Sequence, residues 1–146
     1  MGTRREGREL AVQVLYGIDV SGAKPEEAFE HAVRNFEARD DVVVFARSLV
    51  LGVLGHRDAL DARITDVSEN WRLDRMSPVD RNILRLSTYE LLHSPDVPGD
   101  VVLNEAIEIA KDFGSEGSAS FINGVLDRIA SVVAQTLRRG GNEPAS

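Results

Sequence analysis

Three arginines, Arg4, Arg5 and Arg8, open a sequence that is otherwise acidic, with a formal net charge of −7. Guanidinium groups bind phosphates and carboxylates through paired hydrogen bonds, so this cluster could hold an anion. At the start of a helix each cation opposes the macrodipole and costs about 0.3–1 kcal/mol. The placement therefore favours a binding role, with ordering on contact. A basic terminus without a role is the alternative.

Two carboxylates, Glu105 and Glu108, lie three residues apart in NEAIEIAK. Paired carboxylates can transfer protons in a general acid–base reaction. The same spacing also suits a solvated helix face, on which Glu108 would form an ion pair with Lys111. We expect the second arrangement, and therefore no acid–base chemistry.

The remaining residue types that could do chemistry are sparse. The histidines at 31, 56 and 93 are far apart in the sequence, and none has an HExxH partner. The absence of cysteine excludes disulfides and thiolate-bound zinc. Neither GxxxxGK[ST] nor GxGxxG occurs. We therefore expect no catalytic residues, no metal site and no cofactor.

The arginines precede an apolar segment, which raises the alternative of a secretion signal. Glu6, Glu9 and Gln13 interrupt that segment, and no A-x-A-like cleavage site follows. No apolar run of 18 residues occurs that could span a membrane. We expect a cytoplasmic protein without membrane contact.

Helical periodicity predicts the elements that must position these residues. The chain of 146 residues, 42% hydrophobic, is long enough for one packed domain. Apolar residues recur at helical spacing in seven segments, and no segment keeps the period of a strand. The predicted fold is all-α, with about seven helices over residues 8–20, 25–36, 42–55, 60–71, 78–92, 102–113 and 122–137.

The segment Ser77-Pro78-Val79-Asp80 is a strong signal for the start of a helix. Ser77 can accept a hydrogen bond from a free backbone N–H, and Pro78 lacks the N–H that would otherwise be unpaired. Asp80 could reach back as the acidic member of a capping box. Apolar residues follow on several sides of this helix, which predicts a central position in the core.

Aromatic residues divide into two groups. Phe121 lies about 100° from the apolar stripe of the last helix, beside a Gly/Ser loop. It could stack on a nucleobase, or it could fix the entry of the helix as an apolar staple. The others that follow apolar patterns are predicted to lie in the core: Phe29, Phe36, Phe45, Trp71 and Phe113.

Three stretches resemble the NusB family together and in order. They are RREGRELAVQVLY, LDRMSPVDRNILRLSTYELL and VVLNEAIEIAKDFGSEGSASFINGVLDRIA. The resemblance runs from about residue 4 to residue 135. It implies an all-helical bundle in two small lobes, as one RNA-binding domain over residues 1–138. We place the lobes at about 4–56 and 57–138, with a flexible tail at 139–146.

The resemblance also implies a function. NusB proteins bind the single-stranded boxA RNA element together with NusE, a small-subunit ribosomal protein. The complex joins elongating RNA polymerase, supports antitermination and ribosomal RNA synthesis, and performs no chemistry. An adaptor between proteins, without RNA specificity of its own, is the alternative. A homodimer of the free protein also remains open.

The same resemblance assigns site residues by position. Asp80 matches an acidic position associated with NusE contact, although its capping role is an independent explanation. RNA binding is expected at Arg4, Arg5, Arg8, Gln13, Tyr16, Ser118, Phe121 and Asn123.

A NusB-like domain also precedes the catalytic domain of some ribosomal RNA cytosine methyltransferases. The sequence has no glycine-rich cofactor loop, so we do not expect that activity.

The chain also departs from the family pattern at three positions: Glu6 replaces a common basic residue, Gly7 replaces alanine, and Gly117 falls where acidic residues are common.

Overall fold

The structure is a computed structural model that describes residues 2–68 and 71–140, with side chains described as far as residue 136. Within these residues it contains seven α-helices and one short 3₁₀ turn, Leu73–Arg75, and no strand. The helices are α1 (Thr3–Ser21), α2 (Pro25–Phe36), α3 (Asp40–Gly55), α4 (Arg57–Val67), α5 (Pro78–His93), α6 (Gly99–Phe113) and α7 (Ser118–Gly140). The prediction of an all-α fold with seven helices is confirmed.

The largest difference in helix bounds lies at the start of the chain. Sequence periodicity begins the first helix near residue 8, whereas α1 begins at Thr3. The first turn is held by tertiary contacts, among them Thr3 Oγ1 donating to Asp41 Oδ2 at 3.1 Å and Glu6 lying 3.8 Å from Arg39. These contacts offset the unfavourable charges and glycine that the local sequence carries.

The central position predicted for α5 is confirmed. This helix packs against α1, α3, α4, α6 and α7, and Ile83, Leu84 and Leu86 are fully buried on different sides of it. Helices α1 to α3 pack together through α1, and α4 to α7 pack together through α5. One continuous apolar cluster joins both groups. The division into lobes at residues 56 and 57 therefore stays a prediction.

Ser77 caps α5 as predicted, since its Oγ accepts the Asp80 N–H at 3.1 Å. The Ser77 N–H does not donate to the Asp80 carboxylate among the described residues, so only one half of the capping box is formed. Asp80 Oδ1 is buried without a hydrogen-bond partner in this part of the chain.

Two of the aromatic residues predicted to be in the core are exposed. Phe29 is buried, and Phe45 and Phe113 are partly buried against the core, as expected. The prediction is wrong for Trp71, which is 56% exposed, because α4 ends at Val67 and no longer carries it. It is also wrong for Phe36, which is 41% exposed at the last residue of α2.

The predicted flexible tail at 139–146 lies mostly outside the described residues, and α7 extends through Gly140. Among the helices described, none is both long and apolar enough to cross a membrane.

A polar network joins α1, α4 and α5, and the sequence patterns do not indicate it. Asp19 of α1 accepts hydrogen bonds from Arg81 at 2.6 and 2.8 Å. It also accepts from Asn82 at 2.9 Å and from Arg85 at 3.1 Å. Arg85 in turn donates to Asp61 of α4 at 2.8 and 3.2 Å. Burial alone would raise the pKa of Asp19, but the hydrogen bonds from Arg81 and Asn82 lower it to about 2.

Asp19→Asn should weaken the acid sensitivity of the fold. Because the folded-state pKa of Asp19 is depressed, its contribution is complete above its ordinary pKa of 3.8 and is lost as the pH falls through about 2. Between pH 5 and pH 2, the wild type should lose about 2 kcal/mol more of its free energy of unfolding than the variant. Urea denaturation at each pH measures this, with Asp58→Asn, an exposed acid on α4, as the control. Equal losses in the wild type and Asp19→Asn would contradict the assignment.

Candidate nucleic-acid interface

Arg8 forms a buried ion pair with Glu90. The Nε and Nη2 atoms of Arg8 each donate to a carboxylate oxygen of Glu90 at 2.8 Å. The two residues are 4% and 2% exposed. Burial disfavours the charge on Arg8, but the hydrogen bonds and charge of Glu90, with the charge of Glu105, raise the pKa of Arg8 above its ordinary value. The anion that Arg8 binds is therefore a carboxylate of the same chain, and the Arg8 side chain is not accessible to solvent.

Arg5 makes the second link, from α1 to α6. It donates to both carboxylate oxygens of Glu105, with its Nε 3.1 Å from Oε1. The hydrogen bond from Arg5 lowers the pKa of Glu105 and raises that of the guanidinium itself. About a third of the Arg5 side chain remains accessible, in contrast to Arg8. Arg5 is thus shared between the fold and the surface.

The carboxylates of NEAIEIAK are therefore not an acid–base pair. Glu105 lies against Arg5, and Glu108 lies 3.5 Å from Lys111, the ion pair expected from the sequence.

Arg4 is exposed, and its guanidinium lies over an aromatic ring. Its Cζ lies 4.4 Å from the centroid of the Phe45 ring. Gly7 permits this arrangement, because a Cβ added there would lie 2.4 Å from Phe45 Cδ2. The departure from alanine at position 7 is thus explained by the close approach of the Phe45 ring to α1.

Farther along α1, Gln13 and Tyr16 lie beside each other on a different surface. They line a shallow groove of about 340 Å³ between α1 and α2, together with His31 and Phe36. Gln13 is half-buried and Tyr16 is 37% exposed. Both are accessible, and their surface differs from the groove that Arg4, Arg5 and Arg8 line with residues 96–98 and Val101.

The start of α7 holds the other predicted RNA-binding residues. Ser118 is buried, and its Oγ accepts the Ser115 N–H at 3.0 Å, so its role is to fasten the loop. The loop also needs glycine at position 117, where φ is +89°. Asn123 is exposed.

Phe121 is half-buried and contacts Trp71. The two rings meet nearly edge to face, with centroids 5.8 Å apart and an interplanar angle of 70°. Phe121 also packs against the core, so it has the apolar contacts of a staple. Since Trp71 is exposed, the pair nevertheless offers aromatic surface to solvent. Trp71 was not predicted to be part of this surface, because the apolar pattern of residues 60–67 continues to it in the sequence although α4 ends at Val67.

The predicted residues thus fall into four places: the arginines at the start of α1, Gln13 and Tyr16 beside α2, the group at the start of α7, and Asp80 at the start of α5. No hydrogen bond among the described residues joins one place to another. Burial, and then the charge of Asp112, raise the pKa of Glu9.

Two of the three histidines lie closer together than the sequence indicates. The rings of His56 and His93 lie 4.3 Å apart, and Tyr89 lies beside both. Within the described ranges, no group of three or more His, Cys, Asp or Glu residues is arranged to hold a metal ion.

Comparisons with known proteins agree on one family. The model of the NusB family matches residues 5–131. The transcription antitermination protein NusB of Myxococcus xanthus is 52% identical over 134 residues, which cover 89% of this chain and 96% of that protein. A crystal structure of T. maritima NusB superimposes with a TM-score of 0.80 at 38% identity, covering 88% of this chain and 90% of that one. A structure of the antitermination factors NusB and NusE in complex with dsRNA gives a TM-score of 0.83 at 29% identity, covering 90% and 98%.

Glu90→Gln should lower the free energy of unfolding by up to about 3–5 kcal/mol, because it removes the carboxylate that pairs with the buried Arg8 charge and leaves only Glu105, 3.5 Å from Arg8. Replacing both residues by apolar ones, Arg8→Met with Glu90→Leu, should cost less than this single change. Chemical denaturation measures both. Arg72→Ala, which removes an exposed ion pair with Asp74, is the control and should cost less than about 1 kcal/mol. A cost for Glu90→Gln as small as that of the control would refute the structural role.

Proposed function

The chain belongs to the NusB family of transcription antitermination factors, and on that premise we propose that it binds single-stranded boxA RNA together with NusE. The complex acts on elongating RNA polymerase in the cytoplasm and supports ribosomal RNA synthesis. The family is one of RNA-binding proteins rather than enzymes. In this proposal the chain therefore contributes the binding of RNA and NusE, and no chemical reaction.

One observation carries the RNA part of this proposal: an acidic protein presents an exposed arginine on an aromatic ring at the start of a helix. Arg4 contributes no ion pair to the fold within the described residues, and Arg5 is partly accessible beside it. Both can donate to phosphate oxygens. The relative whose structure contains NusE and dsRNA shares this chain's fold over 90% of its length.

Bases are bound away from the arginines in this proposal. Phe121, supported by Trp71, supplies an aromatic face, and Asn123 lies two residues farther along α7. Single-stranded RNA exposes base faces that stack on aromatic side chains. Gln13 and Tyr16 supply polar and aromatic groups on α1. Ser118 and Arg8 act indirectly, by holding the loop and the helix on which the contacting residues lie.

The partner part of the proposal rests on Asp80. Its Oδ1 atom has no hydrogen-bond partner among the described residues, although Asp80 lies at the surface end of α5. This oxygen is itself buried, so a partner would reach the half-buried Asp80 side chain where it remains accessible and would supply a donor to the carboxylate there. NusE is the partner that we assign to it.

A second candidate function, an adaptor without RNA specificity, has one observation in its favour. Two of the three arginines are already neutralised by carboxylates of the same chain, Arg5 by Glu105 and Arg8 by Glu90. The adaptor alternative predicts that NusE binds and that the RNA sequence has no effect.

A homodimer of the free protein is a further proposal. It is supported by exposed apolar side chains on α1 to α3, at Val20, Phe36, Val44 and Leu51. Such a dimer would cover these side chains and compete with RNA or NusE if the surfaces overlap.

Titration with boxA-like and scrambled RNA, each with and without NusE, tests the proposed function. We expect tighter binding of the boxA-like RNA, most clearly with NusE present. Phe121→Leu keeps an apolar contact for the core but removes the ring, so it should cost about 1–3 kcal/mol of RNA affinity. Phe121→Tyr keeps the ring and is the matched control. Equal binding of both RNAs under both conditions would favour the adaptor.

A further inference from the structure

The three arginines at the start of α1 are held in different ways. Arg5 and Arg8 are fixed by carboxylates, whereas Arg4 is fixed by the ring of Phe45, with its Cζ 4.4 Å from the ring centroid. No carboxylate within the described residues lies at ion-pair distance from Arg4. Of the three arginines, Arg4 is therefore the one that has no carboxylate partner among the described residues.

Stacking and hydrogen bonding use different parts of a guanidinium group. Its five N–H donors lie in the plane of the group, and an aromatic ring covers only a face. Phosphate oxygens bind in that plane, along the edges. A Phe45 ring that lies over the Arg4 guanidinium can therefore restrict the side chain without accepting hydrogen bonds at the edges of the group.

The Phe45 ring is itself fixed. It is partly buried against the core, and α1 approaches it so closely at Gly7 that a side chain there would collide with the ring. The Arg8 guanidinium lies 5.7 Å from the centroid of the same ring. Between Thr3 and Asp41, a hydrogen bond holds α1 and α3 together at the same junction. A ring held in this way is a rigid support for Arg4.

We propose that Phe45 is a positioning residue for RNA binding, which holds the Arg4 guanidinium with its donor edges directed to an RNA phosphate. This inference rests on the proposed function, and adds a residue on α3 that neither the sequence pattern nor the family resemblance assigns. Its physical basis is preorganisation. A free arginine side chain loses rotamer freedom when it binds, and a stacked one has already lost much of it.

A double-mutant cycle tests the proposal with boxA-like RNA and NusE present. Phe45→Leu should weaken RNA binding by about 2–5-fold, the size of an exposed cation–π contact. Arg4→Ala should weaken it at least as much, and should reduce the log–log salt slope by about 0.7. In the Arg4→Ala background, Phe45→Leu should have no further effect on affinity, because the residue it positions is gone.

Two matched variants separate positioning from general loss of structure. Phe45→Tyr keeps the ring and should retain wild-type affinity. Phe29→Leu removes another ring under an arginine, since Arg47 Cζ lies 4.6 Å from the Phe29 centroid, and it should leave RNA affinity unchanged. Thermal melting of each variant checks that it is folded at the temperature of the binding measurement.

Additive effects of Phe45→Leu and Arg4→Ala would overturn this inference alone, because the ring would then act without Arg4. An equal loss of affinity in Phe29→Leu would also overturn it. If wild-type protein with NusE does not bind boxA-like RNA better than scrambled RNA, the proposed function fails and the inference fails with it.

Discussion

A buried ion pair between Arg8 and Glu90 determines how the start of α1 lies against the centre of the molecule. Two charges removed from water are tolerated only when their geometry is good and each remains paired, which the two 2.8 Å hydrogen bonds satisfy. α5 packs against five of the other helices, so this pair ties the first helix directly to the core. The contact of Arg5 with Glu105 extends the same attachment to α6. These two ion pairs therefore determine where the exposed residues in the first turn of α1 lie.

The three arginines of this cluster differ in how deeply they are buried, and their roles differ accordingly. Arg8 is enclosed and structural, Arg5 is shared between its carboxylate partner and solvent, and Arg4 lies on the surface with its charge unpaired in the described part of the chain. An acidic protein that binds RNA needs only a local concentration of positive charge, because the rest of its surface repels phosphate. In the proposed function, a small basic site of this kind acts together with NusE.

Much of the fold could be predicted from the sequence because helical periodicity is a local property. The helix from Pro25 to Phe36 and the cap at Ser77 follow from residues near each other in the chain. The roles of the arginines could not be predicted in this way. Nothing around residue 8 indicates that its partner is Glu90, and a local calculation of helix stability counts its charge as unfavourable. Asp19 likewise only interrupts an apolar segment in the sequence, whereas its ion pairs with Arg81 and Arg85 make it a largely buried link between α1 and α5. Gly7 weakens the helix locally, and the reason for it lies on α3.

The central claim is that the arginine-containing start of α1 is ordered before RNA arrives, through contacts within the protein. Amide hydrogen exchange of residues 6–12, measured in the free protein and in the complex with RNA and NusE, tests it most directly. The account predicts strong protection in the free protein, comparable to that of the buried part of α5, and little further change on binding. Rapid exchange in the free protein, slowed only when RNA is added, would show that the segment folds on contact and would contradict the account.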